Sequence, residues 1–237
     1  MNLFQETIND IKNDYDKNPN QLGWRFLVTS KKTLEKNNGI LFITLNPGGE
    51  EDRKDHPNES CENGCAYITE SWSNKEKPGA SKLQKQYQLL FKEIAHKLNV
   101  ADYINVLEKS VCGYFIPFRS SGIETLKEKN ECIIFSKKIW KNILANQKFK
   151  VIICIDKDTY KALNEILCEM HYKSINETEF ETGWGNYKSS IRKYNKNNEI
   201  ITLLRFPHLS RYSIFGRNES KKFIEKIMVE AFKDYNN

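Results

Sequence analysis

An apolar run that stops at a proline is the feature that most constrains how this chain can fold. Residues 39–45 are mostly apolar or β-branched, and Asn46-Pro47-Gly48-Gly49 follows at once. Pro47 has no amide hydrogen and cannot extend a central strand, so the run predicts a buried strand that ends near Asn46. Ligands of open α/β sheets bind at the carboxyl ends of strands, which makes Asn46 a candidate site residue.

A second apolar run, near the other end of the chain, stops in the same way. Residues 200–204 are apolar apart from one Thr, and the sequence Arg-Phe-Pro-His-Leu-Ser-Arg follows at 205–211. Both transitions place a polar side chain just after a strand. We therefore expect the amide of Asn46 and the imidazole of His208 to converge at one edge of one sheet.

Strands and helices alternate along the chain, which predicts a mostly parallel sheet covered by helices on both faces. The predicted strands are 39–45, 110–116, 150–155 and 200–204. The predicted helices begin near Ser81, cover 129–146 and 156–169, and end with 218–234, where Asn218 is the expected N-cap. The expected fold class is α/β, with three α/β/α layers around a mostly parallel four-stranded sheet.

The remaining segments complete one domain over residues 1–237. Residues 1–38 predict an N-terminal helical segment that is broken near 18–20, and 171–195 predict a hairpin or an edge strand. The loop from Gly48 to Gly79 is long and polar, but it carries Tyr67 and Trp72 and is expected to pack against the core.

The composition predicts a soluble, cytoplasmic monomer. Charged residues make up 29% of the chain, and the mean hydropathy is −0.67. No apolar run approaches the length of a membrane span, and the first residues lack the pattern of a signal peptide. The six cysteines include several within apolar segments, which favours buried thiols in a reducing compartment.

Positive charge is concentrated in one part of the sequence. The chain carries a net charge of +6, and residues 188–222 hold nine Lys or Arg residues against Glu199 and Glu219. A basic segment beside His208 suggests a polyanionic partner such as nucleic acid. The alternative interpretation is a solvated, lysine-rich surface.

Three short motifs, in order, resemble those of the uracil-DNA glycosylase superfamily. The segment 44–48 (Thr-Leu-Asn-Pro-Gly) matches the first motif except for its leading Gly, and 208–210 (His-Leu-Ser) matches the last at His and Ser. Between them, 116–120 (Ile-Pro-Phe-Arg-Ser) matches the second half of a strand-end motif. The resemblance covers residues 39–217. It implies that superfamily's fold and a monofunctional DNA glycosylase without cofactor or metal, active in base-excision repair or anti-phage defence.

The resemblance also implies roles for individual residues. Asn46 would position the attacking water, and His208 would stabilise the negative charge that develops on the departing base. The implied substrate-binding residues are Pro47, Gly48, Tyr67, Tyr114, Phe115 and Ser210, with Tyr67 stacking on the flipped base. The implied DNA-binding residues are Arg119, Arg211, Tyr212, Phe215 and Arg217, and the loop 211–217 would supply the wedge that fills the vacated stack.

Two departures from the family pattern bear on the substrate. Tyr114 stands where the superfamily has a uracil-reading Asn, and a phenol cannot pair with uracil as an amide does. Residues 50–62 hold six acidic residues against Arg53 and Lys54. Both departures favour a modified pyrimidine, such as a phage-modified cytosine, over plain uracil.

Other interpretations stay open at this point. The same fold could serve as a catalytically inactive nucleic-acid-binding module, or Gly48-Gly49 could cradle phosphate in a flavodoxin-like nucleotide-binding enzyme, although no P-loop lysine is present. Asn46 could be a turn residue and His208 a structural loop residue. His56, Cys61 and Cys65 could ligate zinc, but a fourth ligand is missing from the pattern.

Overall fold

A six-stranded mixed sheet forms the centre of the protein, as seen in a computed structural model that describes residues 2–17, 22–49, 55–73 and 76–236. The strands are β1 (Ile40–Thr44), β2 (Val111–Tyr114), β3 (Val151–Cys154), β4 (Lys173–Glu181), β5 (Lys188–Lys196) and β6 (Glu199–Arg205). The described α-helices are α1 (Leu3–Lys17), α2 (Ala66–Thr69), α3 (Lys82–Lys97), α4 (Tyr103–Lys109), α5 (Lys129–Asn146), α6 (Lys157–Glu169) and α7 (Asn218–Ala231). Short 3-10 turns lie at Lys31–Leu34 and Ile123–Thr125.

The strand order is β2-β1-β3-β6-β5-β4, and the first four strands are parallel. β5 pairs antiparallel with both β6 and β4. The prediction of a four-stranded sheet is therefore wrong by two strands, because the hairpin predicted for 171–195 joins the same sheet. β4 is one of the two edge strands and is exposed at nearly every position, so its sequence lacks the apolar alternation of a half-buried strand.

Helices cover both faces of the sheet, which confirms the α/β class. Side chains alternate along β1, so that Phe42 points into the core beneath α3 and α7, whereas Ile43 points into the core beneath α1, α5 and α6. Each face has its own cluster of buried apolar side chains. This packing holds the carboxyl ends of the four parallel strands in a fixed row.

Local signals set where the helices begin. Ser81 caps α3 in a capping box with Gln84, and the Oδ1 atom of Asp156 accepts a hydrogen bond from the Thr159 amide at 2.7 Å to cap α6. Arg217 rather than Asn218 holds the cap position of α7, so that prediction is wrong by one residue. The seven-residue helix α4 was not predicted, because so short a segment shows little helical periodicity.

The long loop after β1 packs against the core, as its aromatic residues predicted. Tyr67 and Trp72 lie with Phe42 and Tyr87 in one aromatic group beneath α3. The predicted helix break at 18–20 and residues 50–54 of the acidic loop lie outside the described residues. None of the described helices has the length and apolar character that crossing a lipid bilayer requires.

Candidate functional site at the carboxyl edge of the sheet

The sheet register brings Asn46 and His208 to the same edge. Ile43 of β1 pairs with Cys154 of β3, and Cys154 pairs with Arg205 of β6. Asn46 and His208 each follow this row by three residues. Neighbouring strands lie about 4.8 Å apart, so β1 and β6, with β3 alone between them, are separated by about 10 Å. Both residues therefore follow strands that end at the same edge of the sheet, and the convergence of their side chains stays a prediction.

The side-chain amide of Asn46 is oriented by Ser120. Its Nδ2 atom donates to Ser120 Oγ at 2.8 Å and also lies near the carbonyl oxygens of Pro47 and Ser120, at 3.2 and 3.3 Å. The Ser120 hydroxyl donates to the Gly122 carbonyl at 2.8 Å and so accepts from Asn46. No described residue donates to Asn46 Oδ1. The half-buried amide therefore presents a carbonyl acceptor that can hold a water molecule.

The loop after β1 is braced by the segment after β2. Arg119 Nη1 donates to the Gly48 carbonyl at 2.5 Å, and the Ser120 amide donates to the Pro47 carbonyl at 3.2 Å. Arg119 is only 7% exposed. The prediction that Arg119 binds DNA needs correction, because this side chain is buried and holds the loop of Asn46. Pro47 is buried, whereas Gly48 is exposed, and no atom of the described residues lies within 4 Å of the position of its missing Cβ, so a ligand can approach Gly48.

A hydrogen bond with Ser210 holds the imidazole of His208. His208 Nδ1 and Ser210 Oγ are 2.7 Å apart. Burial lowers the pKa of His208, and the neighbouring Arg211 lowers it further, so the ring is neutral at pH 7. When Ser210 donates to Nδ1, the proton of the neutral ring resides on Nε2, which can then donate to a ligand.

Asp156 lies between the two predicted catalytic residues and was missed as a site residue. It follows β3, the strand between β1 and β6. Its Oδ1 atom caps α6, but its Oδ2 atom is buried and no described residue hydrogen-bonds to it. Burial is the main reason that the pKa of Asp156 is raised. The sequence indicated a helix cap here and nothing more, because strand order cannot be read from a single sequence.

Tyr67 is a core residue in this structure. Its ring is fully buried, with ring centroids 4.6 Å from Tyr87, 5.8 Å from Trp72 and 5.9 Å from Phe42. The stacking role predicted for Tyr67 needs correction, because neither face of its ring is exposed. Its hydroxyl is buried without a hydrogen-bond partner among the described residues.

Tyr114 ends β2, and Phe115, the next residue, lies on the opposite face of the sheet. Phe115 is 1% exposed and belongs to the core beneath α1 and α5, so its predicted substrate contact is also wrong. Tyr114 lies on the face of α3. Burial raises the pKa of Tyr87, and Tyr114 and Asp156 raise it further, so the polar ends of these three side chains lie within electrostatic range.

The loop 211–217 divides between core and surface. Phe215 is 3% exposed and its ring centroid lies 5.2 Å from that of Phe206, so it is not available as the predicted wedge. Arg211 is exposed. Tyr212 contacts the ring of Tyr187, and Arg217 lies over the ring of Trp184.

The basic segment does not form a continuous positive patch. Four of its cations form ion pairs: Lys188 with Glu179 and Glu181 and Arg192 with Glu177, all three carboxylates on β4; Lys193 with Glu230 of α7 and with Asp234 just after it; and Arg217 with Glu219. The excess charge of 188–222 is therefore partly compensated in space, which a linear count could not reveal. Arg211, beside His208, has no ion pair with a described residue.

His56 and Cys61 lie beside Glu70, whereas Cys65 is fully buried in the core. Glu70 accepts two hydrogen bonds of 2.6 Å from the buried guanidinium of Arg25. His56 Nδ1 is 3.7 Å from Glu70 Oε2, and Cys61 Sγ is 3.8 Å from Glu70 Oε1. Across the described parts of the chain, no three His, Cys, Asp or Glu side chains are grouped as a metal site requires.

A cavity of about 660 Å³ opens at the opposite edge of the sheet, where Lys150 precedes β3 and Asn198 precedes β6. Asn46 and His208 do not line it.

Comparisons of the chain with protein-family models, with curated proteins and with solved structures find no match.

Proposed function

We propose that this protein is a monofunctional DNA glycosylase with a uracil-DNA glycosylase-like fold, which hydrolyses the N-glycosidic bond of a flipped pyrimidine. One observation carries the proposal. Asn46 and His208 lie at the same level beyond the parallel strands β1 and β6, with a single strand between them. Hydrolysis of an N-glycosidic bond needs an acceptor that holds water and a neutral imidazole. Asn46 and His208 would supply these two groups from the two sides of a gap that suits one nucleobase.

The reaction divides between these two side chains. The bond between C1′ and the base nitrogen breaks, and the base takes the electron pair as an anion that His208 Nε2–H stabilises. A water held at Asn46 Oδ1 forms the new bond to C1′ and loses its proton to solvent. An amide is not a strong base, so Asn46 contributes by positioning the water.

The substrate side of the site favours a base with hydrogen-bond donors. The Oδ2 atom of Asp156 is a buried acceptor with no hydrogen-bond partner among the described residues, and Tyr114 stands in place of an amide. Two acidic residues of the loop 50–62 are engaged elsewhere: Glu59 pairs with Lys12, and Glu62 accepts from Ser30 and Ser60. An amino or hydroxyl group on a modified cytosine would satisfy Asp156 better than the carbonyl of uracil does.

Base release from defined oligonucleotides tests the proposal. Duplex and single-stranded DNA with one uracil, cytosine or hydroxymethylcytosine is incubated with the protein, and abasic sites are revealed by alkaline cleavage. Asn46→Ala and His208→Ala are each expected to lower the rate by about 10²-fold. Asn105→Ala and His96→Ala make the same changes at exposed positions of α4 and α3 and should retain the wild-type rate.

The outcome separates the proposal from its alternatives. If no abasic sites form on any substrate while DNA is bound, the protein is a nucleic-acid-binding module of the same fold. A far higher rate on uracil than on modified cytosine would refute the preference for a modified base.

A further inference from the structure

The turn between β4 and β5 is held against the start of α7. Gly183 has φ +73°, and a Cβ atom at this position would lie 2.6 Å from the Glu219 carbonyl oxygen. Within the turn, Thr182 Oγ1 donates to the Tyr187 carbonyl at 2.7 Å, and the Tyr187 amide donates to the Trp184 carbonyl at 3.2 Å. These contacts fix the positions of Trp184 and Tyr187 before any ligand arrives.

The turn and the loop after His208 bring aromatic rings together at the surface. The rings of Tyr187 and Tyr212 have centroids 3.9 Å apart, and Tyr187 is 45% exposed. The Arg217 guanidinium lies 4.0 Å from the centre of the Trp184 ring. Trp184 and Tyr212 pack partly against the core, so the inner sides of both rings are supported while the outer parts stay accessible.

The turn 208–212 connects this group of rings to His208, the candidate catalytic imidazole. The amides of Arg211 and Tyr212 both donate to the His208 carbonyl at 3.0 Å. Arg211 is exposed beside them, and Glu219 is the carboxylate that pairs with Arg217, at 3.4 Å. Rings flanked by two arginines suit a ligand that has both flat faces and negative charge.

We propose that Trp184, Tyr187, Arg211, Tyr212 and Arg217 form a stacking surface that binds unpaired bases of single-stranded DNA next to the flipped nucleotide. Every base has a π face, so aromatic rings bind single strands without reading sequence, and arginine contacts the phosphates. DNA as the ligand follows from the proposed function, but the surface itself is independent of Asn46. Trp184 and Tyr187 come from a hairpin to which the sequence assigned no functional residue.

Fluorescence anisotropy with a labelled oligo-dT strand and with a duplex of equal length tests the inference. The wild-type protein should bind the single strand more tightly than the duplex. Tyr187→Ala should weaken single-strand binding by about tenfold, which corresponds to 1.4 kcal/mol and lies within the range of one stacked base. Tyr187→Phe keeps the ring and should bind as the wild type does. Tyr172→Ala removes a tyrosine at the opposite edge and serves as the matched control.

Several results would overturn the inference: no binding of the single strand, tighter binding of the duplex, or equal affinity of Tyr187→Ala and wild type. Asn46→Ala should still bind the single strand, which separates the two proposals. Binding through Tyr187 without base release on any substrate leaves the stacking surface in place and removes the glycosylase. Base release together with unchanged single-strand binding by Tyr187→Ala leaves the glycosylase in place and removes the stacking surface.

Discussion

The side-chain amide of Asn46 donates a hydrogen bond to the hydroxyl of Ser120 across 2.8 Å, and this contact joins the segments that follow β1 and β2. Because Ser120 in turn donates to the Gly122 carbonyl, the direction of the Asn46 amide is fixed without help from a substrate. The amide oxygen then points away from Ser120. Such preorganisation is what a group that positions water requires.

Removing the Ser120 hydroxyl should therefore slow base release. Ser120→Ala leaves the two backbone carbonyls near Asn46 but takes away its shortest hydrogen bond, and we expect kcat to fall by about tenfold with little change in KM. Ser121→Ala deletes an exposed hydroxyl next in the chain and is the matched control. Equal kcat values for the two variants would show that Ser120 does not position Asn46.

The lowered pKa of His208 predicts how stability depends on pH. Since the folded-state pKa is below the ordinary 6.5, the unfolded chain takes up the proton first as the pH falls. The free energy of unfolding should thus decrease through the window just below pH 6.5, and His208→Gln should lack this component. Urea unfolding of both proteins at about pH 8 and about pH 5.5 measures the difference. An unchanged difference between wild type and variant at the two pH values would contradict the prediction.

The parallel strands, and the segments after β1 and β6 that carry Asn46 and His208, could be predicted because their sequence signals are local. β1, β3 and β6 are apolar runs, and Pro47 and Pro207 stop two of them. Asp156 could not be recognised as a site residue, since its position between Asn46 and His208 depends on which strand lies in the middle of the sheet.

The sequence also could not show whether apolar and charged residues in loops are buried or exposed. Phe215 fits a wedge or a core equally well by sequence, and burial against Phe206 decides for the core. Arg119 likewise fits a phosphate contact or a brace for the Gly48 carbonyl, and its burial decides for the brace. Charge counted along 188–222 overstated the basic surface, because compensating carboxylates come from β4, from α7 and from Asp234 just after α7.

The buried ion pair of Arg25 and Glu70 should be far more important for stability than a surface pair. The side chains are 2% and 10% exposed, so Arg25→Met leaves an uncompensated buried carboxylate and should lower the free energy of unfolding by about 3–5 kcal/mol. Lys12→Met breaks the ion pair of Lys12 and Glu59, in which the two side chains are 47% and 43% exposed. It should lower the free energy of unfolding by less than about 1 kcal/mol. Urea unfolding of both variants compares them, and similar losses would contradict the assignment.

Phe215 and Arg211 should have opposite phenotypes. Phe215→Ala removes a buried ring and should lower the free energy of unfolding by about 3–5 kcal/mol. Arg211→Ala should leave stability unchanged but weaken DNA binding, and it should reduce the slope of log affinity against log salt by about one. Thermal unfolding and salt-dependent anisotropy measure the two effects. A stable Phe215→Ala protein that binds DNA poorly would restore Phe215 as a wedge.

Asp156→Asn tests whether the buried carboxylate matters for stability and for choice of base. Asn keeps the Oδ1 acceptor for the Thr159 amide but removes the charge. Because the folded-state pKa of Asp156 is raised above 3.8, wild-type stability should fall as the pH rises from 3.8 through that pKa, and the variant should lack this loss. The stability of the variant relative to wild type should therefore increase from about pH 3.5 to pH 7 in urea unfolding.

The same variant should change which base is released, because Asn offers the base a donor where Asp offers only acceptors. We expect the ratio of kcat/KM for hydroxymethylcytosine to that for uracil to fall by about tenfold, as loss of one hydrogen bond of 1.4 kcal/mol would produce. Asp102→Asn makes the same change at the exposed cap of α4, where Oδ1 accepts from the Ile104 amide at 2.9 Å, and should leave the ratio unchanged. If Asp156→Asn and Asp102→Asn give the same ratio, Asp156 caps a helix and does not contact the base.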